Sequence, residues 1–536
     1  VSSPLQKTAT AFAIYLAVAV ALLYPLVFQI STHILADDVF IRPGQSDAYN
    51  FLWSYWWIQK AVLHGFNLYQ CQWVYPPSGA NLFFHTHVIL PTLLTLPFGL
   101  LLGATAGYNI MIILMLSGAA CIYEAFVRYT FQWSRITSLI AGGLFGFCPY
   151  FVFKTHAHVN LIGGVFWGGC LAVLLYAYLR DQFSWRTGLL FSLGLWATFW
   201  TSFVEFFALL VVCAAAAIVL ELERALARRP FDATRRASFF AMTLPGLISF
   251  TALVNSPRLE TIEIGVFPRV LLRDVLAPPR LSLFGGTIQA SAFEYWGSHI
   301  PIVYVALAIA GLVAVIRKPS MRTQLAAVGV IALLTLLTTL NPGEVPIQLL
   351  RELPTGAGFR VVARFLPFCF FFLLVFTAYG LEQLLRIQAR SARFALLGVF
   401  ALVTFVELYP WQLEPSAVKR FVPPKELIAD GERGVFTLII PRTHYFNVLD
   451  TYQVSLNVPV LNLSFLAREA PEARAMRALA FPSLYPFPRK LTRTVREQMD
   501  AAHVRYVLYE DERQYVRSKS GGTPIAAQNG AILVRY

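Results

Sequence analysis

Ala9 to Ile30 runs about 22 residues without a charge, and comparable apolar runs recur along most of the chain. At 1.5 Å per residue, a helix of that length crosses a hydrocarbon core roughly 30 Å thick. Backbone amides in such a core must pair within their own segment, so the runs are read as helices. Candidate spans are 9–30, 107–127, 136–153, 159–179, 187–201, 203–222, 238–255, 300–316, 323–340, 364–384 and 394–410, about eleven in all. With 57% hydrophobic and 13% charged residues, the composition agrees. The chain reads as a polytopic α-helical membrane protein. "LLYPLVFQISTHILADD" offers no small-residue cleavage site, which predicts a retained first helix.

Positive residues in short loops stay cytoplasmic. Arg128/Arg135, Arg180/Arg186, Arg224 to Arg236, Arg317 to Arg322 and Arg386 to Arg393 flank alternate ends of the runs. With Lys7 they place the N-terminus and these loops inside, and the tail from about residue 411 outside. Leu90 to Leu102 is apolar, but Pro91, Pro97, Gly99 and Gly103 argue against a straight crossing. Residues 31–106 are therefore read as one external loop with juxtamembrane helices, inside a transmembrane module 1–410. The spans 187–201 and 203–222 are divided only by Thr201-Ser202. Beyond 411, short β runs such as "GVFTLIIP" and "VRYVLYED" alternate with helical "EARAMRALA" and "KLTRTVREQMDAA", predicting an external α/β domain over 411–536. The net charge of +14 is shared between topology signals and this tail, so anionic lipid headgroups are a nearer partner than nucleic acid. The six cysteines fall mostly in apolar runs and form no CxxC pair, as small core residues do.

Sorted by this topology, the unusual polar residues gather outside. Asp47 precedes "AYNFLWSYWWIQK", which as a helix over 48–63 would lie along the membrane interface. There Asp47 is either an N-cap or a partly desolvated general base for an acceptor hydroxyl. Asp37 and Asp38 either hold a divalent cation such as Mg or Mn, or begin a solvated loop. The pairs His85/His87 and His156/His158 have zinc-like alternation but no HExxH partner, so hydrogen bonding to phosphate or sugar is the preferred role. Arg360 and Arg364, four apart, suit bidentate phosphate recognition or snorkel to headgroups. Glu205 at the edge of an apolar run needs a cavity or a partner.

The order Asp47, Asn50, Trp53, Trp57, His64-Gly65, Asn67-Leu68, "YPPSGANL", His87, Tyr108-Asn109, "LFGFCPY", "HAHVNL", "GFRVVARF" resembles bacterial integral-membrane glycosyltransferases of the GT-C superfamily over most of residues 1–380. The tail with "HVRYVLYED" resembles the external α/β domain such proteins carry. The resemblance implies an inner-membrane, inverting transferase that takes a sugar from a polyprenyl-phosphate carrier at the extracytoplasmic face. It implies Asp47 as base with Asp38 as the competing choice, Arg360, Arg364, Lys154, His156 and His158 at the donor phosphate, and His85, His87, Trp53 and Trp57 near the acceptor or sugar. The acidic pair of metal-dependent relatives is replaced by histidines, which argues against an obligatory metal. An external site also explains why no Gly-rich nucleotide loop appears. Two other classes stand beside the transferase: a non-catalytic subunit of a membrane complex, and a lipid or solute transporter, for which no internal repeat speaks. The acceptor, whether glycan, lipid or protein, is not specified.

Overall fold

The computed structural model describes residues 3–36, 46–74, 79–82, 87–229, 232–246, 275, 299–317, 319–341, 344–352, 361–409, 414–418, 421–440, 450–460, 493–509, 513 and 522–536. Asp37, Asp38, His85 and Arg360 lie outside them, as does the second half of the candidate span 238–255. The chain divides into two compact units: Val1–Val27, Met111–Thr155 and Val159–Leu413 form one, and Phe28–Ile110, His156–His158 and Glu414–Tyr536 the other.

Among the described residues six helical stretches are long and apolar enough to cross a membrane: Ala104–Phe131, Arg135–Lys154, Val159–Leu179, Phe203–Leu226, Arg322–Leu340 and Val362–Leu385. Gln6–Leu22, Ile89–Leu102 and Ile302–Ile316 are shorter apolar helices. Local chemistry sets several boundaries. Ser3 and Gln6 form a reciprocal capping box just before Pro4, and Ser202 accepts from the Glu205 amide at 3.3 Å, which is why Thr201-Ser202 separates two helices.

In the first unit, Ile302–Ile316 packs along Leu366–Leu385 where Gly311 meets Gly380. A Cβ on either glycine would run into the facing backbone, so the small residues set the close approach. Tyrosine hydroxyls fasten further helices: Tyr123 donates to the Phe371 carbonyl at 2.8 Å and Tyr304 to that of Leu144 at 2.7 Å. These bonds satisfy polar tips that burial would otherwise leave costly.

The second unit holds a four-stranded sheet. Three short strands precede it in the chain, β1 (His33–Leu35), β2 (Gln70–Cys71) and β3 (Ala80–Asn81), followed by β4 (Pro415–Ala417), which pairs antiparallel with β1. The sheet order is β5 (Phe436–Ile440), β6 (Val504–Tyr509), β8 (Ala531–Arg535), β7 (Thr523–Gln528), with only the β5–β6 pair parallel. Side chains alternate between its faces, as the two-residue period of a strand requires. Phe436, Leu438, Val507, Ile532 and Val534 cluster with Val495 and Met499 of the helix Arg493–Ala501. Ile439, Tyr506, Leu508 and Leu533 cluster instead with Trp53, Trp56 and Trp57 of the helix Ala48–His64.

That second cover corrects one expectation. The helix Ala48–His64 forms as read, but its aromatic residues do not face a membrane interface. Trp53, Tyr55, Trp56 and Trp57 are at most 5% exposed, because the sheet and its neighbours supply the apolar partner that lipid was expected to supply. Trp53 Nε1 donates to Gln453 Oε1 at 2.7 Å, and Gln453 Nε2 in turn donates to the carbonyls of Val458 and Trp73.

Candidate active site

Asp47 occupies the N-cap position of Ala48–His64, yet its side chain makes no cap hydrogen bond. The neighbouring Ser46 takes that part: its Oγ accepts from the Ala48 amide at 3.2 Å and donates to the His156 carbonyl at 3.0 Å. The Asp47 carboxylate points instead to the 156–158 segment, where Oδ2 lies 3.3 Å from His158 Nε2. Asn50 Nδ2 approaches Oδ1 at 3.5 Å. The Asp47 side chain is 42% exposed and that of His158 only 12%. The carboxylate thus lies beside a mostly covered imidazole and stays open to solvent. Ser46 was not among the candidates; the serine directly before Asp47 in "QSDAY" is the signal that could have found it.

Other candidates of this unit are buried within it. The indoles of Trp53 and Trp57 are buried, the latter donating to the Leu68 carbonyl at 3.1 Å. His87 is 5% exposed, its ring edge-on to Tyr69. Asn109 Nδ2 clasps the carbonyls of Ile30 and His33 at 2.7 and 2.8 Å, and Tyr108 packs edge-on against Tyr55. His156 is 2% exposed.

Within the first unit, Arg364 lies in the short turn Val362–Phe365 just before the helix Leu366–Leu385. Its charge reaches Glu205, which is 3% exposed and accepts from Trp167 Nε1 at 3.2 Å. The other Glu205 oxygen lies against Gly163, where a Cβ would displace it. Trp167 therefore supplies one of the partners that the apolar setting of Glu205 demanded. Lys154 closes the helix Pro149–Lys154, 2% exposed, with Tyr150 and Phe153 rings 5.7 Å from its ammonium. Aromatic faces of this kind stabilise a buried cation.

No known protein family and no curated protein matches this chain. Solved structures do. The arabinofuranosyltransferase AftD from Mycobacteria superposes with a TM-score of 0.61 and 15% identity, covering 100% of this chain and 40% of its own. A second AftD structure, of the R1389S mutant, gives 0.59 and 13% over 100% of this chain and 42% of its own. The fold is that of the GT-C glycosyltransferases. An oligosaccharyltransferase from Archaeoglobus fulgidus aligns at 0.42 and 11% over 94% of this chain and 69% of its own. The chain spans about two fifths of the AftD structures it matches. With its apolar helices it is a multi-pass membrane protein. Among its described residues no three His, Cys, Asp or Glu side chains gather as a metal site; Asp37 and Asp38 fall outside that set.

Proposed function

We propose that this GT-C chain transfers a sugar from a polyprenyl-phosphate carrier to an acceptor hydroxyl at the extracytoplasmic face of a bacterial inner membrane, with inversion at the anomeric carbon. Asp47 accepts the acceptor's proton as the oxygen forms its bond to the anomeric carbon. The bond from that carbon to the carrier phosphate breaks on the opposite side, and the phosphate leaves with the electron pair. His158 holds the Asp47 carboxylate in place. A cationic group stabilises the charge that develops on the leaving phosphate. Arg364, Arg360 and Lys154 are the groups whose chemistry suits it, an assignment made from guanidinium and ammonium chemistry and independent of any distance to Asp47.

The observation that carries this reading is that Asp47, placed at a helix start, leaves capping to Ser46 and faces His158 while staying open to solvent. Incubating Asp47→Asn and wild-type protein with a radiolabelled polyprenyl-phosphate sugar tests it. A base at this position predicts a loss of about a thousandfold in turnover with unchanged folding. Equal turnover in both proteins, or no transfer by the wild type to any acceptor fraction, rejects the reading and favours a non-catalytic GT-C subunit.

A further inference from the structure

The second unit contains a cavity of about 750 Å³ that the proposed chemistry does not use. It lies at the C-terminal half of Ala48–His64, where Lys60 is thirteen residues or roughly 20 Å along the helix from Asp47. Trp56, Gln59, Lys60 and His64 line it from that helix, with Ser455 from the end of the helix Asp450–Leu456 and Asn457 just after it. Its rim is apolar and open: Leu63 is 57% exposed, Leu100 49%, Leu102 54% and Val422 71%.

Three features indicate what fits. Lys60 projects its ammonium over the Trp73 ring at 4.5 Å and forms no ion pair among the described residues. Burial disfavours the Lys60 ammonium, with Glu432 opposing that, and an anion in the cavity would favour the charged form further. Gln59 is 6% exposed and its amide nitrogen has no hydrogen-bond partner. The exposed rim continues along Ile89–Leu102, whose Leu93, Leu94, Phe98 and Leu101 also stand 37% to 81% exposed. A water-filled setting would not favour such a strip, whereas acyl chains cover it at no cost.

We propose that this cavity binds an anionic glycerophospholipid, its phosphate at Lys60 and His64 and an acyl chain along Leu63, Leu100 and Leu102. The site is separate from Asp47 and stands whether or not the chain transfers sugar. A soluble phosphate compound shares the headgroup chemistry but would leave the leucine rim uncovered.

The test is native mass spectrometry of the full chain in uncharged detergent micelles, titrated with phosphatidylglycerol, with phosphatidylcholine, and with phosphatidylglycerol against excess inorganic phosphate. Wild type should retain phosphatidylglycerol about tenfold more tightly than phosphatidylcholine, Lys60→Gln should lose that preference, and Lys60→Arg should keep it. Should Lys60→Gln fail to fold, His64→Glu, beside the phosphate, repels the same headgroup and should lower phosphatidylglycerol retention selectively. Equal retention of the two lipids by wild type overturns the proposal, as does full preference in Lys60→Gln or, where that variant does not fold, in His64→Glu. Displacement by inorganic phosphate alone overturns it in favour of a soluble anion.

Discussion

His158 Nε2 stands 3.3 Å from Asp47 Oδ2, joining two segments more than a hundred residues apart in the chain. Ser46 reinforces the junction through the His156 carbonyl, so the acid is held from both sides. Because Ser46 caps the helix and Asp47 does not, the two neighbours should respond oppositely to substitution. Ser46→Ala should lower stability by about 1 kcal/mol, whereas Asp47→Asn should leave it within about 0.5 kcal/mol of wild type. Thermal unfolding in detergent micelles, followed by tryptophan fluorescence, reads both. In transfer assays the order reverses: Asp47→Asn removes turnover, and His158→Gln, which loosens the base without deleting it, lowers it by about tenfold.

Trp53 and Gln453 form a buried pair at 2.7 Å between the aromatic helix and the segment beside the sheet. Trp53→Phe keeps an aromatic ring but leaves the Gln453 oxygen without its donor. A loss of about 1–3 kcal/mol is expected. The double variant Trp53→Phe/Gln453→Leu should be less destabilised than the two single losses added together, although Gln453 also serves Trp73 and Val458. Chemical unfolding of all four proteins completes the cycle.

Glycines in the helices of the first unit divide by what faces them. Gly311 and Gly380 sit where helices touch backbone to backbone, and Gly398 has nothing within 4 Å. Gly380→Ala should therefore cost about 1–3 kcal/mol through overpacking. Gly398→Ala, in the helix Arg390–Leu408, should gain up to about 1 kcal/mol because alanine loses less backbone freedom on folding. Melting temperatures of the purified variants distinguish the two signs.

Asp430 and Tyr506 link the helix Lys425–Glu432 to β6, the hydroxyl donating to Oδ2 at 2.6 Å. That bond, with Arg433 adding to it, holds the Asp430 carboxyl below its ordinary range. A depressed carboxylate contributes stability that is complete above its unfolded pKa of about 3.9 and is lost as pH falls through the folded value. Burial, with Asp430 adding to it, pushes the Tyr506 phenol up to about 12, so its contribution is complete below about pH 10 and is lost as pH rises toward 12. Tyr506→Phe should move the acid unfolding midpoint to higher pH and remove the alkaline loss. Fluorescence titrations from acid and from alkali measure each limb; unchanged midpoints at both ends would show that the pair contributes nothing.

The length and apolarity of runs such as 107–127, 159–179 and 203–222 determined by themselves that this part of the chain is helical, since an amide in such a run can pair only along its own segment. The break at Thr201-Ser202 and the helix start after Asp47 were legible too, because helix starts depend on neighbours a few residues away. Partners that lie far along the chain were not. "AYNFLWSYWWIQK" has the composition of an interfacial helix, and only the sheet formed by residues 436–535 turns its tryptophans into a core. Likewise, Asp47 was a candidate from its position, but whether it caps or faces a histidine depended on where the 156–158 segment comes to rest. Periodicity and local hydrogen bonding are written into adjacent residues, whereas burial and the company a charge keeps depend on long-range packing.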